Sequence, residues 1–180
     1  FLMPHKLPRA HGIYQDTWGN GSVKTQGDYK DGYKEGEWVT KFEDGKLQSK
    51  GCYKHGEKVG NWIEYYKNGN IREKISMTDC TYESYFEDGK PRQKGFYRNE
   101  KKHGDWTTWN KNGKVIRENH YEEGSLEEKK KVWTEDGAQL LSSITYKNNM
   151  KNGFAQWWLE NGKIDMGGMF VNDLQDGIWT

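Results

Sequence analysis

From Leu47 to Lys54 the chain alternates: Leu47, Ser49, Gly51 and Tyr53 share one parity, while Gln48, Lys50, Cys52 and Lys54 share the other. Period two predicts a half-buried β-strand. Trp62, Glu64 and Tyr66 repeat the pattern, so a second strand is predicted from Trp62 to Lys67. Between the two, His55 to Gly60 reads as a glycine-punctuated turn. Asn68-Gly69 then leads into the next copy, and this dipeptide predicts a two-residue type I′ hairpin turn, which needs positive φ at both central residues. No segment carries a sustained helical period.

The same pattern recurs along the chain. Turn dipeptides stand at Asn20-Gly21, Asp44-Gly45, Asn68-Gly69, Asp88-Gly89, Asn112-Gly113, Asp136-Gly137 and Asn161-Gly162, mostly 24 residues apart. Strand ends fall at Tyr29, Tyr53, Met77, Tyr97, Tyr121, Tyr146 and Phe170. A ring position seven residues before each turn glycine reads Tyr14, Trp38, Trp62, Tyr82, Trp106, then Lys130 and Ala155, and resumes at Trp179. Three registers held in phase establish a repeat. The predicted fold is all-β: an elongated, single-layer antiparallel meander of tandem hairpins of about 24 residues. The expected organisation is one array over 1–180: a partial unit 1–26, units 27–50 and 51–74, a shortened unit 75–94, unit 95–118, a degenerate unit 119–143, unit 144–167 and a partial unit 168–180. The partial ends and the initial Phe1 suggest a fragment or a processed form.

Gly27, Gly51, Gly95 and Gly168 each stand two residues before a strand-end aromatic residue. A missing Cβ there admits a neighbouring Trp laid flat, so ring-over-glycine packing is expected, with Trp38, Trp62 and Trp106 as central rings. Two units depart from the pattern. The shortened unit puts Pro91 where others place Leu47, Ile71 or Val115, which predicts a kink or an edge. The degenerate unit has Glu128 in a glycine slot and Lys130 in the ring slot, then gains a residue around Leu140-Leu141, where a bulge is expected.

The recurring Y-x-x-G-x-x-x-G-x-W followed by [DN]-G, in Tyr29 to Gly45, Tyr53 to Gly69 and, with Glu100 in the first glycine slot, Tyr97 to Gly113, resembles the MORN-repeat-variant family, including the YwqK-type antitoxins of bacteria. The resemblance runs from about Gly12 to Trp179. It implies a single-layer antiparallel sheet and a non-catalytic, interaction-based role. The antitoxin label implies neutralising a toxin by binding it.

Composition narrows the function further. Hydrophobic residues are 32%, too few for a deep core, but nine Trp and eleven Tyr can cover one sheet face. A net charge of +1 from interspersed charges of both signs gives no field favouring nucleic acid. No apolar run reaches the ~18 residues of a membrane span. A signal peptide removed upstream would leave no trace, so both cytoplasmic and exported locations stay open.

Signatures of catalysis are missing: there is no phosphate loop, no H-E-x-x-H, no C-x-x-C and no G-x-S-x-G. His11, His55 and His103 recur near turns, but copies two strands apart are about 10 Å from one another, too far to share an ion. No cofactor or metal is expected. Cys52 and Cys80 are placed too far apart for a disulfide.

One feature points to binding. Four residues before the turn glycine stand Tyr65, Tyr85, Trp109, Trp133 and Trp158, a stripe that grows as an earlier one, Trp18, Phe42, Tyr66 and Phe86, fades. Period two puts the late stripe on the face opposite Trp38, Trp62 and Trp106. Two readings stay open: a bulge or a change of packed face that buries these rings, or an exposed platform for a protein, such as a toxin or a surface protein, or for a glycan. The expected role is a non-enzymatic scaffold that binds a protein through its sheet face, with a secreted polysaccharide-binding module as the alternative.

Overall fold

The computed structural model describes residues 10–180. Every regular element among them is a β-strand, and within a compact unit each strand runs antiparallel to the next. The chain divides into two compact units, residues 1–79 and 80–180. The first contains β1 (Gly12–Thr17), β2 (Val23–Lys30), β3 (Tyr33–Lys41), β4 (Leu47–Lys54), β5 (Glu57–Tyr65) and β6 (Ile71–Ser76), in sequence order. The second contains β7 (Thr81–Tyr85), β8 (Pro91–Arg98), β9 (Lys101–Trp109), β10 (Val115–Glu122), β11 (Ser125–Trp133), β12 (Leu140–Lys147), β13 (Met150–Trp158), β14 (Ile164–Val171) and β15 (Leu174–Asp176), also in sequence order. The division falls inside the shortened repeat. No helix among the described residues is long and apolar enough to cross a membrane.

Two kinds of turn alternate, and their assignment differs from the expectation. The two-residue turns with positive φ at both positions are Asp31-Gly32, His55-Gly56, Asn99-Glu100, Glu123-Gly124, Asn148-Asn149 and Asn172-Asp173. At Asn68-Gly69 only the glycine has positive φ. Tyr66 N donates to Asn70 O and Gly69 N to Tyr66 O, while Asn68 Oδ1 accepts from Asn70 N. That is a three-residue loop closed by a left-handed glycine, in which the Asn side chain holds the backbone two residues on. The dipeptide suits both turn types, so it marks the place of the turn without deciding its kind.

The second glycine of each unit lies within a strand, so β5 begins at Glu57 and not at Trp62 as expected. Lys50 pairs with Ile63 and Cys52 with Val59, which leaves two extra residues on β5 at Gly60 and Asn61. Gly36, Gly60, Gly104 and Gly153 carry positive φ in this bulge. In the degenerate unit Glu128 takes the same place, at φ 53°.

Beyond the bulge, Trp38, Trp62 and Trp106 fold back over Gly27, Gly51 and Gly95. A Cβ on Gly95 would stand 2.2 Å from Trp106 Cδ2, and one on Gly27 or Gly51 2.3 Å from its indole, so these three positions admit only glycine under the ring. Each indole N–H donates to a backbone carbonyl: Trp38 to Asp28, Trp62 to Cys52 and Trp106 to Phe96. Trp106 is 2% exposed. In two later repeats glycine and ring are both replaced: Asn119 stands with Lys130, and Ile144 with Ala155. Ala155 is fully buried beside Ile144 and Phe170, and Trp157, two residues later, packs on this cluster.

Two local expectations are corrected. Pro91 opens β8 opposite Tyr85, at the same register shift every unit shows, and β8 lies between β7 and β9, so it makes neither an edge nor an added kink. The inserted residue of the degenerate unit is absorbed in the turn, where Thr134 N reaches Gln139 O, one residue further than Asn110 N to Lys114 O. Leu141 occupies the register shift common to all units.

Candidate functional site

On the face that carries Trp38 and Trp106 the rings pack on one another. Tyr82 stacks on Trp106 at 5.4 Å between centroids, Tyr97 and Tyr121 meet it edge-on at 5.1 and 6.5 Å, and Lys102 Nζ lies 4.2 Å above it. Burial, and then Arg117, push the Lys102 amine below its ordinary value. Trp38 has the same surroundings, with Tyr14 stacked at 5.7 Å and Lys34 at 4.1 Å. Such a face is closed by its own side chains.

Three residues after Trp106, the alternation of β9 turns Trp109 to the other side. Trp109 and Tyr85 line a common pocket of 270 Å³ with Glu83, Pro91, Gln93 and Lys94. Within it Lys94 Nζ lies 3.2 Å from Glu83 Oε1, and the Tyr85 hydroxyl donates to Glu83 Oε2 at 2.8 Å. Burial, and then the bond to Glu83, push the Tyr85 hydroxyl up to about 12, so it stays protonated. Trp109 also lines a second, more open pocket of 680 Å³ together with Phe86, Arg92, Ile116 and Asp136.

All five stripe rings are half-buried, so neither expected extreme holds for any of them. Tyr85 and Trp109 are brought together. Trp133, with Lys131 Nζ 6.0 Å from its ring, and Trp158, paired with Ile164 across β13 and β14, do not line that pocket. Tyr65 belongs to the unit 1–79, opposite Ile71. Sequence reading missed Pro91, Glu83 and Lys94 as pocket residues, because only the register across β7, β8 and β9 joins them.

Register also creates two ionic groupings. His120 Nδ1 lies 2.7 Å from Asp105 Oδ1, which raises the imidazole above its ordinary value, with opposition from burial and support from Glu128 and Glu122. These groups border a cleft of 280 Å³ with Glu118 and Lys131, which are themselves paired at 3.2 Å. His103, Glu122 and Glu123 bring ligand-type atoms within 4.8 Å of one another. Arg98 lies 3.9 Å from both carboxylates and offsets their charge. The single-residue comparison of histidines could not find this grouping, because two of its members come from the next turn.

A profile of the MORN repeat variant family matches four tandem stretches, 34–55, 58–79, 81–99 and 102–123. No curated protein matches the chain. Among solved structures, a chain in a crystal structure of TcdB2-TccC3-TEV matches with 12% identity and a TM-score of 0.26; the match covers 93% of this chain and 9% of that one.

Proposed function

Because the chain carries four tandem MORN repeat variant units, we propose that it is a non-enzymatic scaffold that binds another protein through the sheet face bearing Tyr85 and Trp109. The observation that carries this reading is the contrast between faces: the rings around Trp106 pack on one another, whereas Tyr85 and Trp109 line an open pocket. Half-buried Trp and Tyr around a pocket are the side chains that dominate protein interfaces. Glycan stacking is less well served, because it needs broad, open ring faces, and these rings are half-covered. The specific role suggested by the resemblance to YwqK-type antitoxins is capture of a protein toxin.

The test is Trp109→Ala combined with Trp133→Ala. A protein retained by the wild-type chain is identified by mass spectrometry, purified and titrated. The double variant is expected to bind it at least tenfold more weakly, about 1.4 kcal/mol, with the thermal midpoint within a few degrees of wild type. Unchanged affinity, or displacement of the protein by a soluble oligosaccharide, removes the reading. Rescue of growth on co-expression with a neighbouring toxin gene would establish the antitoxin role.

A further inference from the structure

Five Asn-Gly pairs stand in the chain, beginning at Asn20, Asn68, Asn112, Asn152 and Asn161. Such a pair is open to intramolecular deamidation, because glycine has no side chain to keep its backbone nitrogen away from the asparagine amide. Asn20, Asn68, Asn112 and Asn161 are all exposed, and each precedes a left-handed turn glycine. In all four turns that glycine N–H donates to the carbonyl three residues back, at 2.9 to 3.0 Å. Exposure and backbone restraint therefore do not distinguish them. The asparagine side chain does. Asn20, Asn68 and Asn161 accept through Oδ1 from the backbone N–H two residues on, at 2.9, 2.9 and 3.0 Å. At Asn112 a different residue takes that N–H: Asn110 accepts through Oδ1 from both Asn112 N and Lys114 N at 2.9 Å. Asn110 is itself 9% exposed and anchored through Nδ2 to Glu135 O. The Asn112 side chain is thereby left without a hydrogen bond among the described residues. Asn152 lies inside β13, where its amide donates to Asn172 Oδ1 at 3.1 Å.

We propose that Asn112 is a site of spontaneous deamidation, the fastest of the five in the folded chain. The deprotonated Gly113 nitrogen attacks Asn112 Cγ, the new C–N bond closes a succinimide ring, and the Cγ–Nδ2 bond breaks with loss of ammonia. Water then opens the ring at either carbonyl, giving aspartate or isoaspartate; water is the only reagent consumed, and nothing is oxidised or reduced. To bring Cγ to the glycine nitrogen, Asn20, Asn68 and Asn161 must each give up a hydrogen bond that Asn112 does not make. One such bond, at about 1 kcal/mol, corresponds to about fivefold in rate. The aspartate product suits the loop, because Asp44, Asp88 and Asp136 hold the same position in alternate repeats and accept from Lys46 N, Lys90 N and Ala138 N. Isoaspartate adds a backbone atom to a loop closed by Asn110 N to Lys114 O, and so strains it. Either product puts a carboxylate on the 680 Å³ depression lined by Trp109 and Arg92, so the charge of the face proposed above for binding changes as the protein ages.

The chain contains its own control, because Tyr66-Lys67-Asn68-Gly69 and Asn110-Lys111-Asn112-Gly113 differ only in their first residue. The full chain is held at mildly alkaline pH, digested at intervals, and the amide-to-acid conversion of each Asn-Gly peptide is followed by mass spectrometry. In the folded protein Asn112 should convert about fivefold faster than Asn68. In concentrated urea the two rates should converge, because the difference belongs to the folded loops. Asn110→Tyr returns Lys114 N to the Asn112 side chain and should slow Asn112 to the rate of Asn68. Tyr66→Asn should speed Asn68 correspondingly, with circular dichroism showing that each variant keeps its strands. An Asn112 rate no greater than that of Asn68 in the folded chain, or a gap that persists in urea, overturns the proposal. Folded variants in which neither rate moves overturn it as well. The wild-type comparison with and without urea needs no variant, so the test holds even where a substitution prevents folding.

Discussion

The repeats around Trp106 and Lys130 are neighbours in the unit 80–180 and share the two-residue turn, the bulge and the register shift, yet they are held together differently. Around Trp106 a ring lies on Gly95, with its N–H bonded to Phe96 O and two tyrosines meeting it edge-on. Around Lys130 the glycine becomes Asn119, which donates through Nδ2 to the Tyr121 hydroxyl while its Oδ1 is buried without a partner. The backbone course survives both changes. Register therefore comes from the turns and from the bulge, whereas the ring-on-glycine contact supplies burial. In this repeat both sites have changed, and their volumes are coupled: an indole cannot lie flat on a Cβ, and a bare glycine without a ring would leave a void.

The largest consequence lies in stability. Trp106→Ala removes a side chain that is 2% exposed together with its hydrogen bond, and should cost roughly 3 to 5 kcal/mol. Lys130→Ala, at the same place in a half-buried setting, should cost less than about 1 kcal/mol. Urea denaturation of both variants measures the difference. Equal midpoints would mean that the ring contributes no more burial than the lysine stem does.

How far the sequence reveals this arrangement depends on the range of each signal. Strand alternation and turn glycines are local, so the hairpin array and the pairing of Gly95 with Trp106 are legible from spacing alone. The bulge is less so: Gly60 looks like part of a turn because glycine serves positive φ in a turn and inside a strand alike. The site is legible only in part. Trp109 and Tyr85 share a column in the repeat, but their pocket also needs Pro91, Glu83 and Lys94, which a two-strand register brings together. Trp157 was hidden for the opposite reason. It stands two residues outside the column that Ala155 occupies, and only the packing against Phe170 and Trp179 shows it filling the vacated space.

A smaller effect separates the two bulges. Gly104 takes φ 65° without a steric penalty, while Glu128 takes φ 53° with a Cβ. The left-handed conformation costs an ordinary residue about 1 kcal/mol or more, offset in part by the greater freedom of glycine in the unfolded chain. Glu128→Gly should therefore raise stability by about 0.5 to 1 kcal/mol, and Gly104→Glu should lower it by a similar amount. Parallel melts of the two variants decide this. A destabilised Glu128→Gly would show that contacts of the glutamate outweigh its backbone strain.

The smallest effect concerns the contact that joins these two repeats, His120 Nδ1 to Asp105 Oδ1 at 2.7 Å. Its hydrogen bond to Asp105 raises the imidazole above its ordinary value, with weaker support from Glu128 and Glu122 and opposition from burial. Lys129 and Lys131 border the same cleft, and Lys131 is engaged by Glu118. A group whose folded-state pKa is raised contributes its full stabilisation where both states are protonated, below the unfolded value near 6.5, and loses it as pH rises through the folded value. The advantage of wild type over Asp105→Asn should thus be greatest at about pH 5, below the unfolded imidazole value, and fade as pH rises through the raised folded value. Because Asp105 is largely exposed, solvent screens the pair, and the difference in thermal midpoint should reach only about 1 to 2 °C. Melts of both proteins across that range at low salt measure it. A difference that grows with pH would mean that Asp105 acts on stability through something other than the charged imidazole.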